Sequence, residues 1–292
     1  MPTHVDDSAV DELEAAVGLQ KKAHRSFLSI RSRGENELNS NLTELNAAHA
    51  VEKGFVTHND WIAHTLRYAY AAKYVYQKAK AATVLDVGCG NLQLPYFCWR
   101  NRIPGNLTYT GIDLRANPKW LDEVGWSAAM RLVRADIVLD FERINEQTGL
   151  GKGSDVVVCF EAFEHVPNED KPQLMENLYN WTRSGGTLLF STPNAGVSDS
   201  TAHNHTDPET GESREWPFEQ KIALAEKVGF RLEQVYGTFC GITRIPGHRE
   251  SLAESKILAA AKEFLPHAWY TCVVAAAYPE HSNNALMVFR RP

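Results

Sequence analysis

Apolar and polar positions follow two different rhythms, and the change falls near residue 80. Ahead of it, apolar residues recur three and four apart, the spacing of helices with one buried face. "SAVDELEAAVGLQKKAHRSFLSI" (8–30) reads as one such helix. "HNDWIAHTLRYAYAAKYVYQKAK" (58–80) reads as another, with Asn59 or Asp60 as its N-cap. Between them "RSRGENELNSNLTELN" (31–46) is polar and rich in turn formers, which predicts a loop or a short helix. The second helix carries Tyr68, Tyr70, Tyr74 and Tyr76. Such a stripe is read as packing surface, with the lining of a substrate mouth as the alternative.

From Thr83 onward the rhythm changes to short apolar runs separated by helical stretches. The predicted strands are "TVLDVG" (83–88), "LTYTGIDL" (107–114), "MRLVRADI" (130–137), "DVVVCFE" (155–161), "GTLLFSTP" (186–193), "FRLEQVYGTF" (230–239) and "NALMVFRR" (284–291). Helices are predicted at "KPQLMENLYNWTR" (171–183) and "FEQKIALAEKVG" (218–229). Strand–helix–strand repetition implies an α/β fold, a mostly parallel doubly wound sheet with helices on both faces. In such sheets ligands bind beyond the carboxyl ends of the strands. The residues that follow each strand are therefore the candidates for chemistry.

The first strand ends in "LDVGCGN" (85–91). Gly88 and Gly90 permit a tight turn and a close approach of backbone to ligand. The third glycine of a dinucleotide fingerprint is missing, because Gln93 stands in its place. Asp86, inside the strand end, would repel a pyrophosphate and attract a cation such as an ammonium group. The second strand ends at Asp113, 23 residues after Gly90. A carboxylate there has two oxygens to offer to the hydroxyls of a ribose. The third strand ends in "RADI", where Asp136 could meet an adenine amino group and Ile137 could pack on the ring. A solvated turn is the alternative for Asp136.

Taken in order and spacing, "VLDVGCGN", "GIDL", "RADI", "CFEAFEHVP" and "GGTLLFSTPN" resemble the class I S-adenosylmethionine-dependent methyltransferases. The resemblance covers roughly residues 82–239 plus the final strand. It implies S-adenosyl-L-methionine as cofactor and a seven-stranded Rossmann-like sheet whose last strand runs antiparallel. It also implies that Asp86, Gly88 and Gly90 hold the methionine part, with Cys89 beside them. Asp113, next to Leu114, would hold the ribose. Asp136 and Ile137 would meet the adenine, and Glu161 would lie at the methyl end.

The fourth strand runs out into Glu161, Glu164 and His165. Methyl transfer needs an acceptor held in line with the reacting carbon. A hydroxyl acceptor must also lose a proton, which gives His165 the part of general base, with Glu161 and Glu164 beside it. A divalent cation such as Mg2+ held by the carboxylates would serve the same end. The E-x-x-E-H spacing resembles two groups within the family. The ubiquinone-pathway-like O-methyltransferases read much like "CFEAFEHVP". The small-RNA 3′-terminal 2′-O-methyltransferases use E-x-x-E-H with a later histidine to hold a metal. That second resemblance implies a metal on Glu161, Glu164, His165 and His203 or His205. It is partial, because "TDPETGES" separates the histidines from Glu215 and Trp216.

Composition narrows the partners. The chain has 292 residues, 43% hydrophobic and 23% charged, with a net charge of −6. That suits one large globular domain, or one domain plus a smaller one, and weighs against the binding of a nucleic-acid duplex. Five cysteines without CxxC spacing imply reduced thiols and a cytoplasmic setting. The acidic N-terminus shows no signal peptide. The apolar stretch "FLPHAWYTCVVAAAY" (264–278) is too short to span a membrane and reads as a buried helix. The expectation is a helical extension or lid over 1–80, a methyltransferase core over 81–240, a helical insertion over 241–283 above the acceptor pocket, and a last core strand at 284–292. The expected reaction is O-methylation of a small-molecule or sugar-like hydroxyl. An RNA 2′-hydroxyl is the first alternative and a non-catalytic binding module the second.

Overall fold

A computed structural model describes residues 59–78, 83–90, 92–195, 205–241, 244–265 and 267–292. The predicted helix at 8–30, the loop at 31–46 and His203 lie outside the described residues. In chain order the strands are β1 (Thr83–Val87), β2 (Thr108–Asp113), β3 (Ala129–Arg134), β4 (Ser154–Phe160), β5 (Thr182–Pro193), β6 (Arg231–Phe239) and β7 (Asn284–Arg290). The α-helices are α1 (Asn59–Lys78), α2 (Gln93–Arg100), α3 (Phe141–Thr148), α4 (Lys171–Trp181), α5 (Phe218–Lys227), α6 (His248–Glu254), α7 (Lys256–Phe264) and α8 (His267–Ala275). Among the described residues no helix is long and apolar enough to cross a membrane.

The strands form one sheet in the order β3-β2-β1-β4-β5-β7-β6. The first five are parallel, and β7 inserts antiparallel between β5 and β6. The chain winds outward from β1 to β3, then returns to lay β4 on the other side of β1. The crevice between the carboxyl ends of β1 and β4 is therefore the switch point of the sheet. Central strands covered on both faces carry apolar side chains at successive positions. Val156, Val157 and Val158 of β4 are accordingly all buried. One face is closed by Phe163, Leu174, Leu178, Trp181, Phe190 and Phe230.

Several predicted boundaries move, and at two places a side chain shows the cause. The strand at 130–137 stops at Arg134, because Asp136 accepts the N–H groups of Val138 and Leu139 at 2.8 and 3.0 Å and turns the chain. The helix at 171–183 ends at Trp181, and β5 begins at Thr182, earlier than the predicted 186. There the Thr182 hydroxyl donates back to the Leu178 carbonyl at 2.7 Å. In the 264–278 stretch, α8 buries Tyr270, Cys272, Val274 and Ala275 and packs on β6, but Phe264 ends α7 86% exposed. The tyrosines of α1 divide. Tyr68 packs edge-on against Phe160 and Tyr70 against Tyr74 and Tyr236, whereas Tyr76 is exposed. All five cysteines are buried.

Candidate active site at the switch point

The carboxyl end of β1 presents Asp86, which is 4% exposed. The Tyr109 hydroxyl on β2 donates to it at 2.8 Å. Burial pushes the Asp86 carboxyl up to about 7; the Tyr109 bond opposes this and the Asp113 charge adds to it. The glycine turn then leans on β2. Gly88 and Cys89 donate their N–H groups to the Ile112 carbonyl at 2.8 and 3.0 Å. Gly90 N–H reaches Asp113 Oδ2 at 3.1 Å, and Arg115 N–H takes Oδ1 at 2.8 Å. A carboxylate accepts about four hydrogen bonds, so Asp113 retains acceptor capacity on both oxygens.

Both glycines have positive φ, +71° and +51°. A Cβ on Gly88 would stand 2.6 Å from Ala162 Cβ, so the turn after β1 and the turn after β4 meet there. A Cβ on Gly90 would meet nothing within 4 Å. Cys89 is buried, and burial pushes its thiol well above the usual range, which suits packing rather than nucleophilic attack. Leu114 is 59% exposed, an apolar side chain next to Asp113 with one face in solvent. Asp136 has one oxygen committed to its own turn, and Ile137 is half-buried beside it.

Beyond β4 the backbone turns through Glu161 with φ +53°, rare for a residue with a side chain. Its carboxylate accepts Arg67 Nη1 at 2.8 Å, Ser191 Oγ at 3.2 Å, and Asn284 Nδ2 at 3.1 and 2.9 Å on its two oxygens. Glu164 is 1% exposed and accepts the Thr192 hydroxyl at 2.9 Å. Burial, then the Glu161 charge, pushes its carboxyl up to about 8. His165 closes the one-turn 3-10 helix Phe163–His165, with part of its side chain in solvent and its ring packed against His205. Desolvation, followed by His205 and Arg115, pushes its pKa below the usual histidine value.

His205 sits against His165, with ring centroids 4.5 Å apart and planes at 87°. Its Nδ1 lies 3.2 Å from Glu215 Oε1, which also accepts the His205 backbone N–H at 3.2 Å. Glu215 is 5% exposed, and its hydrogen bond pulls the His205 pKa up. The segment "TDPETGES" that separates the two in sequence is a turn. Thr206 and Ser213 pair across it, and Arg214 binds Asp207 at 2.7 Å. This hairpin is clasped to the turn after β4. Trp216 Nε1 donates to Asn168 Oδ1 at 3.0 Å, and Asn168 Nδ2 to the Ser213 carbonyl at 3.1 Å. The buried Lys171 ammonium lies between the Phe163 and Trp216 rings, 4.8 and 4.9 Å from their centroids, and donates to the Arg214 carbonyl.

The structure thus brings Asp86, the glycine turn, Asp113, Glu161, Glu164, His165 and His205 to one end of the sheet. Sequence reading missed Arg67, Tyr109, Asn284 and Lys171, and it gave Glu215 no part. Arg67 and Asn284 lie 94 and 123 residues from the carboxylate they bind, so no local spacing could have found them. Among the described residues, no group of three or more His, Cys, Asp or Glu side chains is placed to hold a metal ion. As arranged, Glu161 does not fit a divalent cation, since both of its oxygens already carry other donors, one of them a guanidinium; Glu164 gives one oxygen to Thr192.

A family model described as a methyltransferase domain matches residues 61–235, well over half of the chain. The chain belongs to the methyltransferase-domain family. Its sequence is 31% identical over 115 residues to a ubiquinone biosynthesis O-methyltransferase of Nitrosomonas europaea, covering 38% of this chain and 44% of that protein. It is 33% identical over 129 residues to the protein of that name from Actinobacillus pleuropneumoniae, covering 41% and 51%. This methyltransferase-domain chain spans about half the length of the relatives it matches. A solved TehB-like S-adenosylmethionine-dependent methyltransferase from Corynebacterium glutamicum aligns with 88% of this chain and all of that one, at 16% identity and a TM-score of 0.47.

Proposed function

We propose that the protein is an S-adenosylmethionine-dependent methyltransferase acting on a hydroxyl of a small molecule. The observation that carries this is the join between Gly90 and Asp113. The turn after β1 and the acid at the tip of β2 are tied by one hydrogen bond, beside open space over Gly90. That arrangement fits the cofactor. Gly90 leaves room for its methionine part, the buried Asp86 faces its ammonium, Asp113 accepts from its ribose, and Leu114 and Ile137 offer apolar surface to its adenine. When bound, the cofactor supplies a methyl group on a sulfonium.

The chain's own residues handle the acceptor and its proton. With Glu215 taking the Nδ1–H of His205, the proton-accepting lone pair of the neutral ring is on Nε2. A buried carboxylate behind an imidazole keeps its tautomer and raises its basicity toward working pH. The sequence directs the base role to His165. The geometry favours His205 as the base, with His165 orienting the acceptor oxygen beside it. Glu161 stands at the methyl end as the charged partner of Arg67, and Glu164, with its carboxyl raised to about 8, stands beside it holding its proton. The likeness to the ubiquinone-pathway relatives supports oxygen as the acceptor atom. Calorimetry with S-adenosylmethionine, followed by a transfer screen over phenolic, sugar-like and RNA hydroxyls, tests the reading. Absence of heat at millimolar cofactor would refute it.

A further inference from the structure

The Glu161 carboxylate is bound from three directions by donors that sequence spacing does not show. Arg67 reaches it from α1, Ser191 from β5 and Asn284 from β7. Arg67 is 2% exposed, and its Nη1 also lies 3.1 Å from Ser191 Oγ. The Ser191 hydroxyl is in turn 3.0 Å from Asn284 Oδ1, so the donors form one network with the carboxylate at its centre. Glu161 meets them from a left-handed backbone conformation, φ +53°. Backbone strain at such a position persists only where the surroundings over-determine it. An ion bound to Glu161 would have to displace Asn284 from Oε2 and share a partly buried site with a guanidinium 2.8 Å from Oε1. Like charges at that range in a poorly solvated site repel strongly.

We propose that Arg67 is a positioning residue whose guanidinium takes the place of a divalent ion on Glu161, so that the Glu161–Glu164–His165 cluster works with a cation built into the chain. The inference rests on the reading that Glu161 faces the transferred methyl. It makes α1 part of the site rather than a cover over it. It also explains how an E-x-x-E-H spacing can serve without metal: the cation is supplied from 94 residues upstream.

The test uses the full chain, dialysed against chelator and titrated with Mn2+, with free Mn2+ followed by electron paramagnetic resonance. The variants are Arg67→Met, which removes the charge, and Arg67→Gln, which removes it while keeping a donor for Glu161. Thermal unfolding shows which of them fold. The expected result is no Mn2+ binding by the wild-type chain in the micromolar range. Whichever variant folds should bind Mn2+ at least about tenfold more tightly, because an unpaired carboxylate seeks a cation. Mn2+ binding that is the same in wild type and variants, whether present in all or absent from all, overturns the proposal. So does a divalent ion that stays with the wild-type chain through dialysis. S-adenosylmethionine calorimetry on the same wild-type sample is read separately. Failure there removes the proposed activity, and the Mn2+ comparison still decides the part played by Arg67.

Discussion

Gly88→Ala should unfold the junction between the turns after β1 and β4 at a cost that the geometry lets us divide. Gly88 has φ +71°, and a left-handed conformation costs a residue with a Cβ about 1–2 kcal/mol. The added methyl would lie 2.6 Å from Ala162 Cβ. Carbon atoms pack at about 3.5–4.0 Å, so one side must retreat by about 1 Å. Ala162 is buried, and forcing extra volume into such a contact costs about 1–3 kcal/mol. Together these give about 3 kcal/mol. For a chain of this size that lowers the melting temperature by about 6–12 °C. Thermal and urea unfolding of Gly88→Ala, Ala162→Gly and the double variant form a cycle that separates the terms. The double variant keeps the strain and loses the clash, so the coupling should be stabilising by at least about 1 kcal/mol. A coupling near zero would refute the contact as the cause. Gly90→Ala is the contrast. Its Cβ meets nothing within 4 Å, so stability should fall by the strain alone, about 1–2 kcal/mol. Cofactor affinity should fall more steeply, because the methyl enters the space the ligand needs.

Three further outcomes follow from the site. Asp113→Ala should weaken S-adenosylmethionine binding by more than about tenfold, the loss of charge-assisted bonds to a ribose; unchanged affinity in calorimetry would remove Asp113 from that role. Asp86 has its carboxyl raised by burial to about 7, so the folded state holds a proton that the unfolded state has already lost. Stability from this group is complete below the unfolded carboxyl range and is lost as pH rises toward 7. Asp86→Asn should therefore flatten the fall in urea midpoint between acidic and neutral pH, and an unaltered slope would count against it. Glu215→Gln removes the partner that lifts His205, so the His205 titration followed by NMR should move to lower pH, whereas a titration that stays put would end the proposed pairing.

Strand positions and strand ends were legible because both are local properties. The run of Val156, Val157 and Val158 can be satisfied only by a strand covered on both faces, and it forms one. The glycines at 88 and 90, with Asp113 ending the next strand, were legible as a tight turn beside an acid, and Gly90 N–H does reach Asp113 at 3.1 Å. Boundaries were less legible where a side chain competes with the backbone. Asp136 ends β3 by capping its own turn, and Thr182 leaves α4 by bonding back to Leu178. The histidine pair was half legible. His165 stands in a recognisable spacing, but the partnership of His205 with Glu215 depends on a hairpin across 206–213 that the sequence shows only as polar residues.

The sequence by itself determined the class of fold and which residues stand at the carboxyl ends of the strands, since period and chain order are written in the order of residues. What those end residues do was decided by tertiary structure. Glu161, Glu164 and His165 read as one cluster, yet each carboxylate is claimed by a different donor: Arg67 from α1 and Asn284 from β7 for Glu161, Thr192 from β5 for Glu164. A buried charge takes whatever partner the packing brings within hydrogen-bond reach, because leaving it unpaired costs far more than the geometry of any motif could restore. Spacing along the chain places a carboxylate, and the elements folded around it settle its partner.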